Sequence, residues 1–78
     1  MKPVAVITNN IPSTFQWLKN EYGVDRIQHT SRIGTNTKTG QNYLLVLSER
    51  DVQGWEFSGM LVSPFYHSLE QVVRSRIR

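Results

Sequence analysis

His29 and His67 are the side chains of this chain that titrate near neutrality without help from their surroundings, so a search for chemistry begins with them. A triad can be written on paper from Asp25, His29 and Ser31, but no Gly-x-Ser-x-Gly elbow presents the serine as a nucleophile. Zinc sites need three or four closely spaced ligands, and the chain has no cysteine and no His-x-x-x-His. Two-carboxylate and two-metal chemistry need acids that converge from separate elements. The six acids here are scattered, and Glu21, Asp25 and Glu70 read as surface or helix-end charges. The plain role for both imidazoles is structural or solvent-facing. The expectation is therefore a chain with no catalytic centre, no metal and no cofactor.

Charge is more informative. Nine Lys and Arg stand against six Asp and Glu in 78 residues, a net +3. From Arg26 to Ser48 there is no acid, while Arg26, Arg32 and Lys38 supply three positive charges. Arg74, Arg76 and Arg78 supply three more at the end of the chain, and everything else carries −3. If those two segments lie on one side, they make a basic surface that binds phosphates by counterion release. Ser31, Thr35, Asn36, Thr37, Thr39 and Asn42 add donors of the kind that position a nucleic-acid backbone. Set against this, arginines at a helix C-terminus complement the macrodipole without any ligand.

Those residues need elements to carry them. The length suits one small domain, the 38% hydrophobic content supplies a core, and without cysteine that core is not stapled. Val4 to Thr8 reads as a strand buried on both faces. Ser13 with Gln16 has the form of a capping box, so a helix is expected here, burying Ile11, Phe15, Leu18 and Tyr22 and ending at Gly23 with Val24 packed back on it. Arg26 to Ile33 reads as a second strand and Tyr43 to Leu47 as a third. They are joined antiparallel through Gly34 to Gly40, where Asn36 opens a turn and Gly40 supplies positive φ. Ser48 to Asp51 could cap one helical turn stopping at Gly54. Phe57 to Ser63 reads as the fourth strand. Ser63-Pro64 looks like a helix start, with Phe65, Leu69, Val72, Val73 and Ile77 at helical spacing. On the first helix Trp17 falls about 130° from the centre of the apolar stripe. It should sit partly outside the core, as cover, as a stacking platform or as an interface. Trp55 and Phe57 are expected to close one end of the core. The Thr8 to Ser13 turn is a further candidate, because ligands bind at the carboxyl ends of strands in α/β sheets.

The run Ile33 to Ser48, then Asp51-Val-Gln-Gly-Trp55, then Gly59-Met-Leu-Val-Ser63, resembles the middle of P-loop NTPases of the helicase and terminase kind. The resemblance covers less than half the chain. Pro64 and Phe65 stand where that family's acidic pair would be, and Gln53 stands where its pattern often has arginine. Between Thr8 and Thr14 no Gly-x-x-x-x-Gly-Lys-Ser/Thr loop cradles a triphosphate. What the resemblance implies is topology and not ATP hydrolysis.

The chain is thus expected to be one α/β domain over residues 1–78, a small mixed four-stranded sheet with two helices in the order β-α-β-β-β-α. Its expected role is non-catalytic binding of nucleic acid or a nucleoprotein through Arg32, Lys38, Arg74, Arg76 and Arg78. The alternative is a protein-interaction module or inhibitor, of the kind viruses and mobile elements encode, whose protein partner meets Trp17. A monomer or dimer in the cytoplasm is expected, with no membrane contact, since no apolar run approaches the roughly 20 residues a bilayer requires.

Overall fold

Val4 to Ile7 is a run of β-branched and small residues, and in the computed structural model, which describes residues 2–64 and 69–77, it forms the strand β1 (Val4–Ile7). Ala5, Val6, Ile7 and the following Thr8 are all buried, as a strand covered on both faces requires. The chain continues through helix α1 (Ile11–Tyr22), strands β2 (Arg26–Gln28), β3 (Ile33–Asn36) and β4 (Gln41–Val46), a single 3-10 turn (Glu49–Val52), strand β5 (Gly59–Val62) and helix α2 (Glu70–Arg74). The sheet order is β2-β3-β4-β1-β5, with β1 parallel to β4 and β5, and with β2–β3 and β3–β4 antiparallel.

The α/β class and the two helices agree with the sequence reading; the strand count does not. Five strands are present because the expected strand from Arg26 to Ile33 folds back on itself. Arg32 adopts a left-handed conformation with φ 58°, and its N–H donates to the His29 carbonyl at 3.3 Å. Gln28 then pairs with Ile33 across the turn. His29, Thr30 and Ser31 are polar and exposed, so a straight strand there would gain nothing from burial.

Apolar side chains of both sheet faces hold the two outer layers. On one face Val6, Tyr43 and Leu45 pack with Phe15 and Leu18 of α1 and with Val24. On the other, Ala5, Ile7, Leu44 and Val46 pack with Val52, Phe57 and Val73, which brings in the 3-10 turn and α2.

The cap of α1 differs from expectation. Asn10 is the N-cap, and its Oδ1 accepts the Ser13 N–H at 3.0 Å, while Pro12 occupies the first turn where no N–H is missed. The C-terminal end is as expected: Gly23 has φ 69°, and the Val24 N–H donates to the Leu18 carbonyl. Asn36 opens the β3–β4 turn, and Gly40 closes it with φ 78° while donating to the Asn36 carbonyl at 2.8 Å. Ser63 extends β5 along β1, donating to the Ile7 carbonyl from both its N–H and its hydroxyl. Phe65 and His67 of the expected final helix lie outside the described residues, and the described helix begins at Glu70. No helix among the described residues is long and apolar enough to cross a membrane.

Two edges of the sheet result. β1, β4 and β5 run the same way, so Thr8, Leu47 and Ser63 end together at a carboxyl edge, while Pro3, Gln41 and Ser58 begin together at an amino edge. From the carboxyl edge α1 leaves to one face and the 3-10 turn to the other, which makes it a topological switch point.

Candidate nucleic-acid interface

Lys38 projects from the β3–β4 turn, which lies on the amino edge because β4 starts there. Arg76 reaches the same edge from the other side of the sheet. Its carbonyl accepts the Phe57 N–H at 2.9 Å, and Phe57 bridges to Ile77 just before the chain enters β5. Arg74 ends α2 one turn earlier and is 3.8 Å from Glu70, an exposed pair along the helix. Arg78 lies outside the described residues.

Other cations gather there. Arg26 pairs with Thr35 in the sheet row that continues to Asn42, so it stands at the amino end of the edge strand β2. Lys2 is tied to the same edge by its carbonyl, which accepts from Gln41 Nε2 at 3.3 Å. α1 descends to it as well, since the Tyr22 carbonyl accepts from Asn36 Nδ2 at 3.0 Å. A cleft of about 490 Å³ lies elsewhere, but here the last turn of α1 and the β3–β4 turn enclose a groove of about 480 Å³ with Lys19 on one wall and Lys38 on the other. Strand spacing of about 4.8 Å places the span from β2 to β5 at roughly 19 Å.

The acids of this edge are partly committed. Asp25 accepts the Thr37 hydroxyl at 2.6 Å and the Thr37 N–H at 3.0 Å. Those two hydrogen bonds, the hydroxyl's first, hold its carboxyl below its ordinary value, with Lys38 assisting.

Arg32 stands apart from this group. It begins β3 at the carboxyl edge, and its Nη1 donates to both oxygens of Asp51 at 3.1 Å. Arg50, Glu49 and Asp51 share that edge, so two cations meet two acids there and the formal charge is zero. Among the described residues the other six cations stand against four acids, Glu21, Asp25, Glu56 and Glu70, so the positive excess of the described residues lies away from the carboxyl edge. Of the residues expected to act together, Lys38 and Arg76 lie toward the amino edge and Arg32 lies at the opposite one. Arg26, counted in the same acid-free segment, also stands at the amino edge, and Lys19 and Lys2, which that segment does not include, join it. Hairpin pairing and helix direction bring these last two there, and neither can be read from a run of charge.

Trp17 takes its expected place partly outside the core, as cover, whereas Trp55 does not close the core as expected. Trp17 is half-buried, edge-on to Tyr22 with ring centroids 5.2 Å apart, and packs against the α1 side of the core. Trp55 is the exposed one, at 36%, while its neighbour Phe57 is fully buried. The paper triad does not form: Asp25 is bound to Thr37 at the amino end of β2, and Ser31 Oγ donates to Gln28 Oε1 at 3.1 Å. His29 lies edge-on to Phe15. The Thr8 to Ser13 turn is closed by its own groups, with Thr8 and Thr14 hydroxyls 2.5 Å apart and Thr14 Oγ1 donating to the Asn10 carbonyl. Among the described residues no three His, Cys, Asp or Glu gather in a group fit for a metal.

No family model, no curated protein and no solved structure matches the chain.

Proposed function

We propose that this protein binds nucleic acid along the amino edge of its sheet, with Lys38, Arg74 and Arg76 contacting phosphates, Lys19 and Arg26 flanking them, and Arg78, which follows Arg76 in the sequence, as a fourth contact. The observation that carries the reading is the charge division between the two edges: the carboxyl edge is neutral, and the positive excess of the described residues lies elsewhere. An edge about 19 Å wide is long enough to meet several consecutive phosphates. The β3–β4 turn adds backbone and hydroxyl donors of the kind that fix a strand in register. The two groups that could have joined His29 in a triad are turned elsewhere, Ser31 to Gln28 and Asp25 to Thr37.

Four phosphate contacts give a log–log dependence of affinity on salt with a slope of about −3 to −4. Fluorescence anisotropy with a labelled single-stranded and a labelled duplex oligonucleotide, from 25 to 200 mM salt, measures it. Absence of binding to DNA and RNA at the lowest salt removes the proposal. The alternative, a protein partner met by Trp17, has less support, since that ring is packed against Tyr22.

A further inference from the structure

The carboxyl edge holds a second concavity that the basic-edge reading does not use. It is an open cleft of about 490 Å³ between the β2–β3 turn and the 3-10 turn, lined by Thr30, Ser31, Arg32, Arg50, Asp51 and Trp55 among others. That volume falls in the range of ordinary small-molecule sites. It lies beyond the end of β4, on the β3 side of that strand.

Three features say what would fill it. Asp51 is saturated, accepting Arg32 Nη1 on both oxygens and the Leu47 and Ser48 N–H groups at 2.8 and 3.1 Å. Its oxygens are therefore occupied. Arg32 is 40% exposed, and among the described residues only its Nη1 is engaged, so the other guanidinium donors remain available. Arg50 is exposed and has no ion pair among the described residues. The cleft lining itself holds two arginines and one carboxylate, Glu49 of the same edge lying outside it, and this favours an anion with several acceptor oxygens; the guanidinium fork matches phosphate geometry. Trp55 is exposed, with no ring packed on it among the described aromatics, and offers a flat apolar face in the same cleft. Thr30 and Ser31 add hydroxyls.

We propose that this cleft binds a free nucleoside monophosphate, with the base stacked on Trp55 and the phosphate held by Arg50 and Arg32. Arg32 is fixed for this role twice, by its left-handed backbone and by the contact of its Nη1 with both oxygens of Asp51. The site is separate from the amino edge and does not depend on nucleic-acid binding there.

The test is Trp55 fluorescence in a Trp17→Phe chain, titrated with AMP, adenosine, inorganic phosphate and a short single-stranded oligonucleotide. The Trp55 indole N–H signal in a 15N–1H spectrum of the unaltered chain gives the same readout should the Trp17→Phe chain not fold. AMP is expected to quench, with adenosine and phosphate each at least about tenfold weaker, since a base–aromatic stack and a charged hydrogen bond are each worth about that factor. Arg50→Gln should weaken AMP binding about tenfold with the melting temperature unchanged. A chain lacking Lys38, Arg74 and Arg76 side-chain charge should bind AMP as before. No response to AMP up to 10 mM, an order of magnitude or more above the usual range for a specific site, overturns the proposal. So does equal binding by Arg50→Gln. A response to the oligonucleotide alone also overturns it, by making a strand the occupant.

Discussion

Arg32 Nη1 lies 3.1 Å from both carboxylate oxygens of Asp51, a residue nineteen positions further along the chain. The contact joins the β2–β3 turn to the 3-10 turn across the end of β4, and it sets one wall of the cleft there. The two partners do unequal work. Arg32 is 40% exposed and contributes one end of an ion pair that water competes for, whereas Asp51 is 20% exposed and also receives two backbone N–H groups.

Removing Asp51 should therefore cost more than removing Arg32. Asp51→Ala strands the Leu47 and Ser48 amides together with a guanidinium, and a loss of about 1–3 kcal/mol is expected. Arg32→Ala should cost less than about 1 kcal/mol through the pair itself. Urea unfolding of both variants decides it: a larger loss in Arg32→Ala would show the pair, and not the capping of the 3-10 turn, to be dominant.

The backbone of Arg32 makes a separate prediction. With φ 58° it holds a conformation that costs a residue bearing a Cβ about 1 kcal/mol and glycine almost nothing. Arg32→Gly and Arg32→Ala both lose the guanidinium, so the comparison isolates the backbone. Arg32→Gly should be the more stable by about 1 kcal/mol, read as a difference in denaturation midpoint at equal slope.

Asp25 gives the expected acid response. Its carboxyl is lowered from an ordinary 3.8, first by the Thr37 hydroxyl, then by the Thr37 N–H. A lowered native value means that the charged form steadies the β3–β4 turn above 3.8, and that this contribution fades as pH falls through the native value. Thr37 and Lys38 amide signals should shift together with a midpoint below 3.8. In Asp25→Asn that titration should vanish from both residues. A midpoint at or above the ordinary value would contradict the assigned hydrogen bonds.

Much of this fold is written in short-range pattern. β1 is a β-branched run, Gly23 and Gly40 take the left-handed conformations their turns demand, and Ser48 to Asp51 forms the single turn its capping residues predict. What the sequence hides is mostly pairing. Nothing local in Arg26 to Ile33 says that it reverses at Arg32, because that depends on β3 having β4 to join. The same ambiguity misplaced Arg32, which a straight strand would have carried toward Lys38. Asn10 was passed over as the helix cap because Ser13 also fits a capping box, and only the hydrogen bond from Ser13 N–H to Asn10 Oδ1 separates them. Trp55 was missed as a surface residue because apolarity predicts burial, whereas its neighbour Phe57 takes the core position.

Gly34 shows how closely α1 and the sheet approach. A Cβ at this buried position would lie 3.0 Å from Val24 Cγ1 and 3.4 Å from Phe15 Cε1, both part of the α1-side core. Its φ raises no objection to alanine, so the cost is packing alone. Gly34→Ala should destabilise by about 1–3 kcal/mol. A Gly34→Ala, Val24→Ala double variant should recover part of the overpacking while adding a cavity penalty. Double-mutant analysis of the unfolding free energies should therefore show coupling between the two positions. Strict additivity would mean that Val24 and Gly34 do not crowd each other.

The edge assignment is tested by which charges change the salt slope. Lys38→Ala removes one proposed phosphate contact, and the log–log slope for oligonucleotide binding should become shallower by about 0.7–0.9. Arg76→Ala should do the same, because its backbone places it at the amino edge beside Phe57. Arg32→Ala should leave the slope unchanged, since that guanidinium is at the carboxyl edge and bound to Asp51. A net-charge effect alone would treat all three substitutions alike, for each removes one positive charge from the same +3 total. Equal slopes for the three variants would show that the cations attract nucleic acid as a diffuse field. A change confined to Lys38 and Arg76 would tie binding to the amino edge.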